Sequence, residues 1–498
     1  LVLFIQVFYT RQMNMANNKS SFDSSTMGKD GTDAFSRPRH VIKFGTDGFR
    51  GIIAKDFTFE TVEKITNAIA KYLKDKGLAA STILIGYDPR FMADKFSKFS
   101  AELLEKYGYR AILSSRVCLT PTLAYSATIT PDCSGAIMFT ASHNPCEYLG
   151  MKFIPPYGGP ATVEITDAIV VNLDAAPTAE QGGKIELKDF SEEYFEHIEK
   201  LIDFEKIASS NIKIIYDALF SASVGYFDEL LRRNNVKFES FNDCHDPLFG
   251  GGMPEPIKKY MHNYKEGFIT LSNDGDADRY GIIDENTEWV SPNVIMALLL
   301  IYLSKNNKKG KLIKTVGASG LLDACAQKLG IETVTTPVGF KWVGEAMREH
   351  ETLLAGEDSG GLSIGSHIPE KDGILANALI LEMLANEKKT LVELQEELKK
   401  FVGKEFFTDR LDIKQACPSA IEKIIYHYKE ANTLAGLKIV KTLEIDGLKL
   451  FLNDGYTCIL IRPSGTEPLL RFYIESDDLT KIKLMKDFIL KNIPKIRV

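Results

Sequence analysis

The chain has 498 residues, 44% hydrophobic and 26% charged, a balance that suits several packed domains and excludes disordered, collagen-like and disulfide-scaffold classes. Its 60 basic and 67 acidic residues give a net charge of −7, which argues against nucleic acid or an anionic membrane as partner. The seven cysteines show no CxxC and no zinc-type Cys/His spacing, so free thiols in a reducing cytoplasm are expected.

Leu1–Tyr9 is apolar but far shorter than the ~20 residues of a membrane span. Arg11 follows that run rather than preceding it, the reverse of a signal peptide. Residues 16–36 are rich in Ser, Asn, Asp and Gly, so 1–39 is expected to be a poorly ordered leader. From Val41 onward, short apolar strands alternate with amphipathic helices. Strands are predicted at Ile83–Gly86, Gly135–Phe139, Ile212–Tyr216, Phe268–Leu271 and Lys311–Thr315. Helices are predicted at Phe96–Tyr107, near Val224–Leu231, at Pro292–Leu303 and at Leu321–Leu329. This spacing reads as βαβ units with mainly parallel sheets.

One plan recurs three times. A strand opens it (ILIGYDPR at 83, IKIIYDALF at 212, KLIKTVGAS at 311), and a later strand ends in a chemically loaded loop (TASHNP at 140, DGDADR at 274, GEDSGG at 356). TPTLAYSA at 120 and TPVGFKWVGEA at 336 echo each other between these points. From about 407 the pattern changes to strands at Leu448–Leu452, Cys458–Ile461 and Leu470–Glu475, with helices near Ala420–Ala431 and at Lys481–Asn492. The expected fold is therefore three similar α/β/α domains with mainly parallel mixed sheets (40–206, 207–308, 309–405) and a C-terminal α+β domain (406–498). Ligands gather at the carboxyl ends of strands in open α/β sheets, so the loops should face one central cleft.

Asp274, Asp276 and Asp278 fall at i, i+2 and i+4 in a turn after a strand. Three carboxylates so close repel unless a cation sits among them, and oxygen-only ligands suit Mg²⁺, Mn²⁺ or Ca²⁺ rather than zinc. An EF-hand template fits the three Asp positions and Glu285, but Arg279 stands where Gly is required and strands flank the loop. A solvated acidic turn is the plain alternative. Ser142 lacks the G-x-S-x-G context of a serine hydrolase, and Asn144-Pro145 turns the chain so that its hydroxyl sits at a strand end. His143 and Lys152 are candidate acids, bases or charge clamps. RPSGTEP (462–468) carries the parts of a phosphate cradle, with Arg462 as a bidentate donor and Ser464, Thr466 and backbone N–H groups beside it. GEDSGG offers Glu357 and Ser359, which suit vicinal hydroxyls.

FGTDGFRG, TASHNP, DGDADR, GEDSGG and RPSGTEP, in that order, resemble the α-D-phosphohexomutases, over about residues 41–498. The resemblance implies that Ser142 carries a phosphoryl group. Asp274, Asp276 and Asp278 would then bind one Mg²⁺ per chain, with the phosphoserine as a further ligand. It implies that Arg50, Lys152 and Arg279 border the reacting phosphoryl group. Arg462, Ser464, Gly465 and Thr466 would hold the substrate's other phosphate, and Glu357 and Ser359 the sugar hydroxyls. GSHIPEKDG (365–373) is similar to a stretch of phosphoglucomutases and adds His367 and Lys371 for substrate binding or proton transfer. Lys341 joins them as a candidate for selectivity at C2. The expected activity is interconversion of glucose 1-phosphate and glucose 6-phosphate through a hexose 1,6-bisphosphate, with glucose 1,6-bisphosphate as activator. Phosphomannomutase and phosphoglucosamine mutase are the alternatives within the family, and a Mg²⁺-dependent sugar-phosphate phosphatase is the alternative outside it. The general base is open among Lys152, His143, Lys371 and His367. The expected partner is a small hexose phosphate, with no nucleic acid or membrane, and a monomer or homodimer.

Overall fold

Among the described residues, β-branched and aliphatic runs bounded by turn residues pair into four sheets. A computed structural model of the chain describes residues 48–306, 309–414, 418–453, 456–463 and 469–496. The expected leader at 1–39 lies outside these residues, as do Ser464, Gly465 and Thr466.

The first sheet has six strands in the order Phe49–Ile52, Tyr148–Ile154, Cys133–Phe139, Thr82–Tyr87, Arg110–Ser114 and Lys184–Lys188. Thr82–Tyr87 runs parallel to both of its neighbours, while Tyr148–Ile154 returns antiparallel to Cys133–Phe139. The second sheet orders Trp289–Val290, Tyr280–Ile283, Ile269–Asn273, Ile214–Asp217 and Glu239–Phe241. The third orders Thr333–Thr336, Lys311–Thr315, Thr352–Gly356 and Leu362–Ser363. In both, a parallel core ends in an antiparallel return strand. The repeat thus has a physical form. In each copy a buried parallel strand (ending at Phe139, Asn273 or Gly356) gives way to a short loop, and the chain turns back as an antiparallel strand. The loaded loops occupy these three reversals, at the carboxyl ends of the strands.

The fourth sheet is wholly antiparallel, in the order Phe407–Lys414, Leu469–Ser476, Cys458–Pro463, Leu448–Leu452, Leu437–Leu443 and Thr433–Leu434. Helices Pro418–Lys429 and Leu479–Ile496 accompany it. Its core is separate and built around Leu450, Ile459, Phe472 and Met485. One continuous apolar cluster spans the second and third sheets, from Tyr216 and Leu271 through Leu299 to Leu354 and Leu379. Shared burial of this kind ties the two loops those sheets carry into one frame. Among the described residues no helix is long and apolar enough to cross a membrane.

Candidate active site

Thr140 to Asn144 leaves the strand Cys133–Phe139 and places Ser142 at φ +52°, a left-handed conformation uncommon for a residue with a Cβ. Asp274 to Arg279 leaves Ile269–Asn273 with Ala277 at φ +59°. The two loops meet. The Ser142 Oγ donates to Asp274 Oδ2 at 2.8 Å, and Ser142 is 1% exposed. A Cβ on Gly275 would stand 2.3 Å from the Ser142 carbonyl oxygen, so only glycine lets the acidic loop pass so close to the serine.

Asp274, Asp276 and Asp278 are fully buried, and one carboxylate oxygen from each lies within 4.8 Å of the others. Burial and the neighbouring Asp278 and Asp276 carboxylates push the Asp274 carboxyl well above the usual range. Burial also acts on Asp278, but Lys371, Lys152 and Arg279 together outweigh it and hold that carboxyl below the usual range. Lys152 Nζ sits 2.9 Å from Asp276 Oδ2 and 3.1 Å from Asp278 Oδ2. Lys371 Nζ sits 3.0 Å from Asp278 Oδ2. The Oδ1 atoms of Asp276 and Asp278 are buried without a hydrogen-bond partner. Buried anionic oxygens left this way are costly unless something positive fills the place. The donor set is three carboxylates with no nitrogen or sulfur, so these residues fit a hard divalent cation.

Contacts from the other domains fix the acidic loop. Thr120 donates through its hydroxyl to Asp276 Oδ2 at 2.6 Å and through its N–H to the Asp276 carbonyl at 3.2 Å. Gly373 N–H donates to the Ala277 carbonyl, and Tyr280 N–H to the Gly360 carbonyl. Within the loop itself, Arg279 N–H donates to Asp274 Oδ1 at 3.0 Å.

The remaining expected residues divide. Arg50 lies beside the serine loop, with Nη1 donating to Asn144 Oδ1 at 2.5 Å. His143 Nδ1 is 3.4 Å from Ser142 Oγ. Arg279 first, then burial and Arg50, push the His143 imidazole down to about 2, so it is uncharged. Glu357 Oε1 accepts from Gly339 N–H at 2.9 Å, and Ser359 Oγ donates to Glu357 Oε2 at 3.4 Å. This sets the GEDSGG loop against the first turn of the helix Phe340–Glu349, which carries Lys341. Arg462 Nε pairs with Asp446 Oδ2 at 2.8 Å, and the same oxygen accepts from Val338 N–H at 3.2 Å. Asp446 therefore links Arg462 to the loop that precedes Lys341.

His367 is placed by contacts with Asp372 and His197. Its side chain is fully enclosed, with Nε2 2.9 Å from Asp372 Oδ2 and Nδ1 2.9 Å from His197 Nε2. The Asp372 carboxylate accepts from His367 Nε2, and Nδ1 shares a hydrogen bond with His197 Nε2. Both ring nitrogens thus have a partner within the protein.

Sequence reasoning passed over Asp88, Arg90, Thr120, Thr140 and Asp446. In the sequence ILIGYDPR stands out only as an opening strand, and TPTLAYSA only as an echo of TPVGFKWVGEA.

Four family models match in register with this architecture. They are the phosphoglucomutase/phosphomannomutase α/β/α domains I (41–180), II (192–287) and III (291–401) and the C-terminal domain (386–492). A Thermococcus kodakarensis protein named phosphoglucomutase/phosphomannomutase is 30% identical, covering 88% of this chain and 96% of its own. A phosphoglucosamine/phosphogalactosamine mutase of Sulfurisphaera tokodaii is also 30% identical, covering 87% and 95%. A crystal structure from Thermus thermophilus, provisionally named a phosphomannomutase, superposes with a TM-score of 0.79 at 29% identity, covering 91% of this chain and 99% of that one. With the family models spanning nearly all of 41–492, the chain belongs to the phosphoglucomutase/phosphomannomutase family of α-D-phosphohexomutases, whose members are mutases.

Proposed function

We propose that this enzyme interconverts glucose 1-phosphate and glucose 6-phosphate by way of a phosphoserine at Ser142 and a glucose 1,6-bisphosphate intermediate. The observation that carries the reading is the Ser142 hydroxyl bonded to Asp274 inside a buried carboxylate triad flanked by Lys152 and Lys371. The C1 and C6 oxygens of one hexose are too far apart for direct in-line transfer, so a covalent carrier is needed. In the first half-reaction the phosphoserine P–O bond breaks and a new P–O bond forms to the sugar hydroxyl, whose proton passes to a base. After the sugar reorients, the other phosphate returns to Ser142.

Asp274, Asp276 and Asp278 are the residues to hold Mg²⁺, which when bound supplies positive charge to the phosphoryl oxygens. Arg50, Lys152, Arg279 and Lys371 add cationic charge around the same space, as a transition state with dispersed negative charge requires. Of the candidate bases, His143 lies beside Ser142, but the cations that hold its imidazole down to about 2 make it a weak proton acceptor, so the base stays open among Lys152, His143, Lys371 and His367. Glu357 and Ser359 grip sugar hydroxyls. Arg462 binds the distal phosphate, joined there by Ser464, Gly465 and Thr466.

Glucose is preferred on the strength of the GSHIPEKDG stretch. A Komagataeibacter xylinus relative named phosphoglucomutase, 28% identical over 87% of each chain, adds support. Glucosamine phosphate is the second reading, favoured by the Sulfurisphaera tokodaii relative. The test is isomerisation of glucose, mannose and glucosamine 1-phosphates with and without the corresponding 1,6-bisphosphate. Glucose 1-phosphate should give the highest kcat/KM, stimulated by the bisphosphate. Release of inorganic phosphate in place of isomerisation would instead establish a phosphatase.

A further inference from the structure

Arg90 is buried behind the serine loop and uses every N–H of its guanidinium. Nε pairs with Asp88 Oδ2 at 3.0 Å, and both side chains are fully enclosed. Nη1 donates to the carbonyls of Pro145 at 2.7 Å and Tyr148 at 3.0 Å. Nη2 donates to the carbonyls of Ser142 at 2.6 Å and Asn144 at 2.7 Å. Four carbonyls from one short stretch of chain thus converge on one planar fork, and the Phe249 ring of the second domain covers it at 4.9 Å. A guanidinium has five donors in fixed directions, which a lysine ammonium cannot reproduce.

Asp88 extends the grip to the other side of the serine. Its Oδ2 accepts from Thr140 Oγ1 at 2.7 Å, and Thr140 Oγ1 in turn accepts from Ser142 N–H at 2.8 Å. Both peptide groups of Ser142 are therefore held, the N–H through Thr140 and Asp88 and the carbonyl through Arg90. The residue between them sits at φ +52°, which the backbone does not favour unaided. We infer that Asp88, Arg90 and Thr140 form a positioning clamp that sets the Ser142 Oγ for in-line phosphoryl transfer. None of the three touches the reacting atoms; they act through the serine backbone. The inference rests on Ser142 being the phosphoryl carrier. A nucleophile displaced by about 1 Å loses on the order of a hundredfold in rate.

Thr140→Val keeps the side-chain shape and removes only the hydroxyl, while Thr140→Ser restores it. The readout is the single-turnover rate of phosphate transfer from glucose 1,6-bisphosphate to dephosphorylated protein, followed by intact mass, together with KM for glucose 1-phosphate and the melting temperature. Thr140→Val should slow transfer by about a hundredfold with KM within about twofold of wild type, and Thr140→Ser should recover most of the rate. Arg90→Lys should fall as far as Thr140→Val. If Arg90→Lys does not fold, the Thr140 pair carries the test. Wild type phosphorylated on Ser142, with Thr140→Val transferring within about threefold of it, overturns the clamp. Wild type that takes up no phosphate on Ser142 overturns the carrier reading and the clamp with it.

Discussion

Lys152 bridges two carboxylates of the triad, and its replacement by Met separates two effects that other substitutions confuse. Its Nζ contacts Asp276 Oδ2 at 2.9 Å and Asp278 Oδ2 at 3.1 Å, with the side chain 8% exposed. Breaking a buried ion pair by removing one partner costs about 3–5 kcal/mol. The lower end applies here, because Asp278 keeps Lys371 at 3.0 Å and Asp276 keeps the Thr120 hydroxyl at 2.6 Å. In the metal-free variant, then, about 3 kcal/mol of compensation is missing from the triad. A divalent cation restores it, so Mg²⁺ binding should tighten by up to about a hundredfold, at about 1.4 kcal/mol per factor of ten. Turnover moves the other way if, as proposed, the ammonium also faces the transferring phosphoryl group, and kcat/KM should then fall by at least about a hundredfold. The assay is Mg²⁺ titration of dephosphorylated wild type and Lys152→Met by calorimetry, with melting temperatures in EDTA and steady-state kinetics alongside. In EDTA the variant should melt below wild type, and saturating Mg²⁺ should narrow that gap. Weaker or equal Mg²⁺ affinity in the variant would refute the claim that Lys152 stands in for metal charge at the triad.

Arg462→Ala should lower kcat/KM severely while the phosphoserine stays detectable by intact mass, because the proposed role of the guanidinium is to hold substrate rather than to act on Ser142. Glu357→Ala should depress kcat/KM for glucose and mannose 1-phosphates together, while Lys341→Ala should shrink an expected glucose preference of about ten- to hundredfold, both read in the isomerisation assay. Acid should destabilise the fold through His197, whose imidazole is pushed down to about 4 by burial and then by His367. Above pH 6.5 it is neutral folded and unfolded; as pH falls from 6.5 toward 4 only the unfolded chain gains the proton, so stability is lost across that window. His197→Phe, which preserves the stack on Tyr125, should flatten the fall of melting temperature with pH there relative to wild type.

The strands were legible where their apolar runs were short and bounded. Lys311–Thr315 and Leu448–Leu452 form as predicted, and Gly135–Phe139 grows by two residues to start at Cys133. The helix Gly373–Glu387 was not anticipated, for a physical reason. Residues from Gly373 through Leu384 are buried on every face, so no polar stripe marks a 3.6-residue period. The acidic loop and the serine loop announced themselves because their chemistry is packed into a few consecutive residues. The clamp did not, because its parts come from two strand ends far apart in the chain and Arg90 acts on backbone carbonyls, which carry no sequence identity. The surroundings of His367 were illegible for the converse reason. Lys371, close by in sequence, reaches Asp278 of the triad, but the imidazole of His367 turns instead toward His197 on a separate helix, Ser191–Leu201.

The central claim is that Ser142 carries the phosphoryl group between the two ends of the sugar. Protein incubated with glucose 1,6-bisphosphate and Mg²⁺, digested and mapped by mass spectrometry, tests it directly. The account predicts one phosphate, on the peptide containing Ser142, which transfers to added glucose 1-phosphate or glucose 6-phosphate and is missing in Ser142→Ala along with turnover. A phosphate on another residue, or a Ser142→Ala enzyme that isomerises at near the wild-type rate, would contradict it.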